Sequence, residues 1–319
     1  MPLVYACITP HGIEIIPELA GPRREAFAPT RLAMEELGRR VKACRPEVII
    51  VATPHGLRLE GGFNAVVTSE YCSGLLTPDT LTPPADPVLE VLTTPAAGPI
   101  PETPPAGSSP LVTPAVRGRF LCDRLLAREI VSRTRREGIP VVGVNYGALA
   151  GPASDVAMDW GTLIPLYFLA PKGDTICSAE LPQVVLLGPS RDIPLTQLVR
   201  WGEIVGSLCV ENSKRIVFVA SADQAHCHRP EGPYGYHPAA AQYDALVQDI
   251  VTQDRLDRLL DVDLSLVDEA KPDSLWQMLI LYGISRIVPL RGQLLSYQAP
   301  TYFGMLVAAY APSTQQAGY

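Results

Sequence analysis

Residues 3–12 read LVYACITPHG and residues 47–56 read EVIIVATPHG. Each is an apolar run that empties into the same tetrapeptide, Thr-Pro-His-Gly. A short apolar, β-branched run bounded by proline and glycine is a buried strand. Proline sets the backbone before each histidine, and glycine lets the chain turn after it. Between the two runs, residues 23–44 show helical periodicity through Leu32, Leu37 and Val41, and Pro46 stops it. A strand, a helix and a second strand of this length form a right-handed parallel crossover. That unit places His11 and His55 at one edge of one sheet.

The alternation continues along the chain. Further strands are expected over 63–70, 140–145, 182–188 and 215–220. Helices are expected over 117–137, 196–211, 238–260 and 274–283. Residues 155–169 pass from a polar loop into an apolar helix, and 294–310 read as a closing strand pair, or one bulged strand, around Gly304. Alternating strands and helices predict an α/β fold. The expected form is a single domain over 1–319, with a mainly parallel or mixed central sheet flanked by helices. Segment 77–114 carries prolines at 78, 83, 84, 87, 95, 99, 101, 104, 105, 110 and 114. No helix survives that density, so the segment reads as a proline-rich loop inserted in the domain: a surface loop, a flap or a dimer arm.

Composition excludes several function classes. A net charge of -7 does not supply the basic face of a nucleic-acid binder. No apolar run reaches about 18 residues, so no membrane-spanning helix is expected. The start, Met1 to Cys7, lacks the basic region and cleavage site of a signal peptide. The seven cysteines are odd in number and form no CxxC, which argues against a disulfide framework or a zinc ribbon. The expectation is a cytoplasmic protein with reduced thiols.

The chain has five histidines, and three lie in residues 217–237, VFVASADQAHCHRPEGPYGYH. His226, His228 and His237 stand there among Asp223, Cys227 and Glu231. The stretch follows the strand at 215–220, and chemistry in open α/β sheets collects beyond the carboxyl ends of strands. Two histidines at strand exits plus one carboxylate make a facial triad, which suits non-haem Fe(II) because three positions stay open. Glu231 is the first choice of carboxylate. Asp223 is its rival, or a group that orients a histidine. A zinc site of His11 and His55 completed by His226, or with Cys227 in place of one histidine, is the alternative.

The two TPHG exits, DWGTLIPLYFL at 159–169 and SADQAHCHRPEGPYGYHPAAAQYD at 221–244 resemble the catalytic, LigB-type subunit of class III extradiol ring-cleavage dioxygenases. The resemblance covers residues 3–70 and 118–310. More distantly, the chain is similar to Memo-like proteins. The resemblance implies Fe(II), with zinc or another divalent metal as the alternative, held by His11, His55 and Glu231. It implies a small aromatic diol and dioxygen as substrates, a homodimer, and in some relatives a small partner subunit; no nucleic acid and no membrane enter. The family has Asp-His-Gly where this chain has Asp159-Trp160-Gly161, and that histidine is its acid/base. Here the role falls to His226, then to His228. Trp160 reads as an aromatic wall. Tyr234 and Tyr236 either hydrogen-bond substrate or pack, and Asp223 and Cys227 complete the surroundings. The alternative on the same fold is a Memo-like metal-binding protein or a zinc-dependent hydrolase.

Overall fold

The computed structural model describes residues 3–78, 114–170 and 181–313. Its main sheet has four parallel strands at the centre: β1 (Leu3–Thr9), β2 (Val48–Ala52), β8 (Gln183–Gly188) and β9 (Ile216–Ser221). They lie in the order β1-β9-β2-β8. Two antiparallel strands, β10 (Leu290–Gln298) and β11 (Met305–Pro312), extend the β1 side. On the other side β3 (Asn64–Val67) runs antiparallel to β8, and β6 (Val141–Val144) runs parallel to β3. This is the mixed sheet of the expected α/β class.

Both faces of the central strands are covered, so their sequences read as continuous apolar runs rather than alternating ones. In β9, Ile216, Phe218 and Ala220 enter a core shared with α2 (Arg124–Arg136), α4 (Leu195–Glu211), α5 (Ala239–Thr252) and α7 (Leu275–Ile287). Val217 and Val219 enter the core on the opposite face, with α1 (Ala28–Ala43) and α3 (Trp160–Leu169). Successive side chains of a strand point to opposite faces, and each set meets its own helices. Helices α4 and α7 touch backbone to backbone, where Gly202 and Gly283 meet.

The structure departs from the expected elements where period-two patterns were short. The helix expected over 117–137 starts at Arg124, with Asp123 accepting a hydrogen bond from the Leu126 N–H as its cap. Residues ahead of it form β5 (Val116–Leu121), which pairs with β4 (Tyr71–Leu76), where no strand was expected. A third short strand, β7 (Asp155–Ala157), completes this small sheet. The glycines of β4 and β5, Gly74 and Gly118, let the small sheet close on Met158 and on Leu163 of α3. The helix expected over 238–260 ends at Thr252, and Asp254 turns the chain with φ 58°. A 3-10 turn and α6 (Leu264–Ala270) follow.

Residues 79–113 of the proline-rich segment, and Cys177, lie outside the described residues. The six described cysteines are free, and among the described residues no helix is long and apolar enough to cross a membrane.

Candidate metal centre

Strands β1, β9 and β2 end at one edge. Thr9 pairs with Ser221, and Ala52 pairs with Ala220. The residues just beyond those ends therefore converge: His11 after β1, His55 after β2, Asp223 after β9. A fourth segment joins them. Helix α6 ends at Lys271 in the left-handed region (φ 53°), and Pro272 then delivers Asp273 ahead of α7. The backbone N–H of His226 donates to the carbonyl of Ala270 (2.9 Å), which ties the histidine-rich loop to this corner.

Three donor atoms form a nearly regular triangle. His11 Nε2 lies 3.1 Å from His55 Nε2 and 3.3 Å from Asp273 Oδ2, and His55 Nε2 lies 3.2 Å from the same oxygen. The hydrogen bonds behind the triangle settle which atoms face inward. The Ser221 hydroxyl donates to the Gly161 carbonyl (2.5 Å), so its oxygen accepts from His11 Nδ1 at 3.0 Å. His11 is thereby the Nδ1–H tautomer, and its Nε2 lone pair points into the triangle. Asp273 accepts the Asp223 N–H on Oδ1 (3.0 Å), which leaves Oδ2 for the histidines. The His11 Nε2 and Asp273 Oδ2 lone pairs face each other at 3.3 Å, an arrangement that a shared proton or a cation between them relieves.

The donor set fits a divalent metal. Ligands bound at about 2.1 Å stand about 3.0 Å apart at octahedral angles and about 3.4 Å apart at tetrahedral ones. The observed edges of 3.1–3.3 Å fall between these limits. Protonation follows the same logic. Burial keeps the His11 ring neutral by lowering its pKa from 6.5. Burial opposes ionisation of Asp273, but the His11 and His55 rings outweigh it and hold this carboxyl well below the usual carboxylate range. Burial, and then the charge of Asp273, push the Asp223 carboxyl up. Asp273 is thus the ionised carboxylate of the pair. Asp223 holds the His11 backbone instead, accepting its N–H on Oδ1 (2.9 Å), with Oδ2 3.2 Å from His11 Nε2.

The carboxylate beside the two histidines is Asp273, and Glu231 is not part of this cluster. Glu231 is exposed, in a shallow pocket with Arg23, Arg229 and Tyr302. The loop that carries it bulges outward, because His228 and Tyr236 pair across its base. Asp273 escaped the sequence reading because an Asp-Ser pair ahead of an apolar helix looks like an ordinary helix start.

The remaining expected residues sort by contact. His226 lies beside the triangle, its Nε2 3.9 Å from Asp273 Oδ2. Its ring stacks on Phe303 (5.7 Å, 19°), meets Tyr234 edge-on at 6.1 Å, and leaves Nδ1 buried without a partner among the described residues. Burial lowers its pKa too. His228 is committed elsewhere: its Nε2 contacts Asp244 Oδ2 at 2.8 Å, and Tyr297 donates to the same oxygen (2.5 Å). Cys227 is buried in the apolar core. Tyr236 is exposed. Trp160 packs on His55, ring centroids 4.2 Å apart, and so walls the site. Asp159 beside it caps α3 and accepts from Thr53, whose own oxygen accepts the His55 N–H (3.3 Å).

The family model of the "Catalytic LigB subunit of aromatic ring-opening dioxygenase" matches residues 93–307, more than half of the chain. The chain belongs to the LigB family. The matched span includes Trp160, His226 and Asp273, while His11 and His55 precede it, so their part in this LigB chain rests on geometry. Protein CA_C1420 of Clostridium acetobutylicum is 22% identical over 291 residues, which cover 91% of this chain and 54% of that protein. The LigB chain therefore spans about half the length of that relative. The crystal structure of the uncharacterized protein JW3007 of Escherichia coli K12 has the same fold, with a TM-score of 0.52 over 96% of this chain and 99% of that one, at 16% identity.

Proposed function

We propose that this chain cleaves the ring of a small aromatic diol with dioxygen, in the extradiol manner, at a non-haem Fe(II) ion held by His11, His55 and Asp273. The observation that carries the reading is the triangle of two imidazole nitrogens and one carboxylate oxygen, each edge 3.1–3.3 Å. Bound there, Fe(II) supplies a Lewis acid and a template with open positions for diol and dioxygen.

The chain's own groups do the rest. Ser221 holds His11 in the ligating tautomer. Trp160 and Phe303 give the site aromatic walls and keep water from it. His226 is the proton-transfer group: its Nε2 lies 3.9 Å from Asp273 Oδ2, and burial keeps the ring neutral, so that it accepts a proton from a diol hydroxyl and returns it later. His228 is tied to Asp244 and shapes the loop rather than the chemistry. A second copy of the chain, or a small partner subunit, belongs to the same reading, and the mass of the purified particle tests it.

The test is anaerobic loading with Fe(II), metal analysis and oxygen uptake with 3,4-dihydroxybenzoate, gallate, 3,4-dihydroxyphenylacetate and aminophenol. About one iron per chain and one dioxygen consumed per ring compound are expected. One observation favours a second reading: tryptophan stands at position 160, where the family resemblance implies an acid/base histidine. A chain that binds metal at the triangle, yet consumes no oxygen with any of these compounds, is a zinc-dependent hydrolase or a Memo-like metal-binding protein on this fold.

A further inference from the structure

His226 sits on a loop, so its ring is placed only as well as the loop backbone is held. One buried side chain holds that backbone at two points. Asp244 reaches the loop from α5. Its Oδ1 accepts the Ala225 N–H (2.8 Å), on the residue before His226. Its Oδ2 accepts from His228 Nε2 (2.8 Å) and from the Tyr297 hydroxyl of β10 (2.5 Å). An ionised carboxylate only accepts, so His228 donates from Nε2. Residues 225 and 228 bracket His226, and one carboxylate grips the chain on both sides of it.

The same carboxylate fixes what the ring packs on. A Cβ on Gly304 would collide with Asp244 Oδ2, so the carboxylate is pressed against the backbone of segment 302–305. Three backbone hydrogen bonds join that segment to the loop: Gln224 N–H to the Gly304 carbonyl (2.8 Å), Gly304 N–H to the Ala225 carbonyl (3.0 Å) and His228 N–H to the Tyr302 carbonyl (3.0 Å). The segment carries Phe303, which stacks on the His226 ring (5.7 Å, 19°), and Tyr302, whose ring lies 6.0 Å from it. Ring, loop and stacking partner therefore share one anchor.

A buried carboxylate is costly unless its lone pairs are filled, and here three donors fill them. A buried polar group satisfied in this way stiffens what it holds and admits one geometry. Burial, and then the charge of Asp244, push the Tyr297 hydroxyl far above its ordinary value, so it remains a donor. Among the described residues the side-chain hydrogen bonds of Asp244 go to the loop and to β10, and none goes to His11, His55 or Asp273.

We propose that Asp244 is a positioning residue for His226: together with His228 and Tyr297 it sets the ring beside the metal centre, and it raises the rate of proton transfer without taking part in metal binding. This rests on the reading that His226 moves the proton in ring cleavage.

Two measurements test it, one of which needs no turnover. In the first, oxygen uptake with 3,4-dihydroxybenzoate is followed on iron-loaded protein. Asp244→Asn, close to isosteric, should keep wild-type iron content and lose about 10- to 100-fold in kcat, with KM changed by less than about threefold. Tyr297→Phe, which removes one donor, should lose about 2- to 10-fold in kcat. In a His226→Gln background, Asp244→Asn should cost no more than about twofold further, because the group it positions is gone. In the second, histidine ring resonances are recorded by NMR on the zinc-loaded, diamagnetic protein, to which five histidines contribute. The signal missing from His226→Gln should shift in Asp244→Asn and in Tyr297→Phe, while the His11 and His55 signals stay.

Wild-type kcat in both folded variants, loss of iron in folded Asp244→Asn, or a full additional loss in the double variant overturns the proposal. The last two outcomes mark Asp244 as general support for the fold. If Asp244→Asn fails to fold, Tyr297→Phe decides by the same kinetic and NMR readouts. If the wild type consumes no oxygen, ring cleavage falls and the NMR decides alone. A shifted His226 signal beside unmoved His11 and His55 signals then upholds the positioning role, and an unmoved His226 signal overturns it.

Discussion

At Ser221 one hydroxyl proton decides what His11 can do. It goes to the Gly161 carbonyl, so the imidazole must donate from Nδ1 and present Nε2 to its neighbours. Ser221→Ala should therefore weaken metal binding by about 10- to 100-fold while the fold persists, read by equilibrium dialysis. Replacing His11, His55 or Asp273 with Ala should abolish stoichiometric metal, whereas Glu231→Ala should leave it at the wild-type level. Metal retained in Asp273→Ala and lost in Glu231→Ala would restore the glutamate expected from the sequence. His226→Gln should keep its metal and lose about 10²- to 10⁴-fold in kcat. The sign of the pH dependence follows from burial. His226 works as a base only when neutral, and burial sets its pKa below the ordinary 6.5. The rate should hold on descending from about pH 8 and fall only below about 6.5, a limb that His226→Gln removes. His11 and His55 were legible beforehand because each ends a strand. His226 and His228 were not separable, because only packing shows one ring beside Asp273 and the other tied to Asp244.

At the scale of elements, the His55 loop depends on a turn that favours glycine. Gly56 has φ 76°, and a Cβ there would lie 2.6 Å from Asp159 Oδ2. Asp159 in turn caps α3 and receives the Thr53 hydroxyl, so Gly56→Ala strains the backbone and loosens the tie between the His55 loop and α3. It should cost about 1–3 kcal/mol in urea denaturation and lower metal affinity as well. At the α4–α7 crossing the glycine serves close approach instead. A Cβ on Gly283 would lie 2.0 Å from the Val199 carbonyl oxygen, which is backbone and cannot swing aside. Gly283→Ala should cost about 1–3 kcal/mol or more by the same assay, because the two helices must separate. Elements with long apolar periods were read correctly within a few residues: β1, β2, β8, β9 and α4. The errors included the end of α5 and the strands β4, β5 and β7, each three to six residues long and partly exposed: glycine breaks the period-two pattern in β4, arginines and glycine break it in β5, and β7 is too short to show one.

At the scale of the molecule, the proposed ligands come from segments far apart in the chain, after β1, after β2 and ahead of α7. A metal bound there holds three segments that meet only in the folded state, so it stabilises the whole fold. At a free metal concentration about 100 times the Kd, the gain should be about 2.7 kcal/mol, seen as a rise in Tm, and Asp273→Ala should abolish it. Sequence by itself determined the α/β class, the parallel central strands and the two TPHG histidines. These are local matters: a buried strand is an apolar run, and the residue beyond its end lies at the sheet edge wherever the strand is placed. The carboxylate of the triangle was decided only by the tertiary structure. Asp273 reaches the triangle because α6 ends in a left-handed turn at Lys271 and because the Asp223 N–H takes up its other oxygen. Neither contact leaves a mark in the residues around position 273, since each depends on partners distant in sequence. Glu231 has the right chemistry in the more conspicuous loop, and chain geometry holds it at the surface.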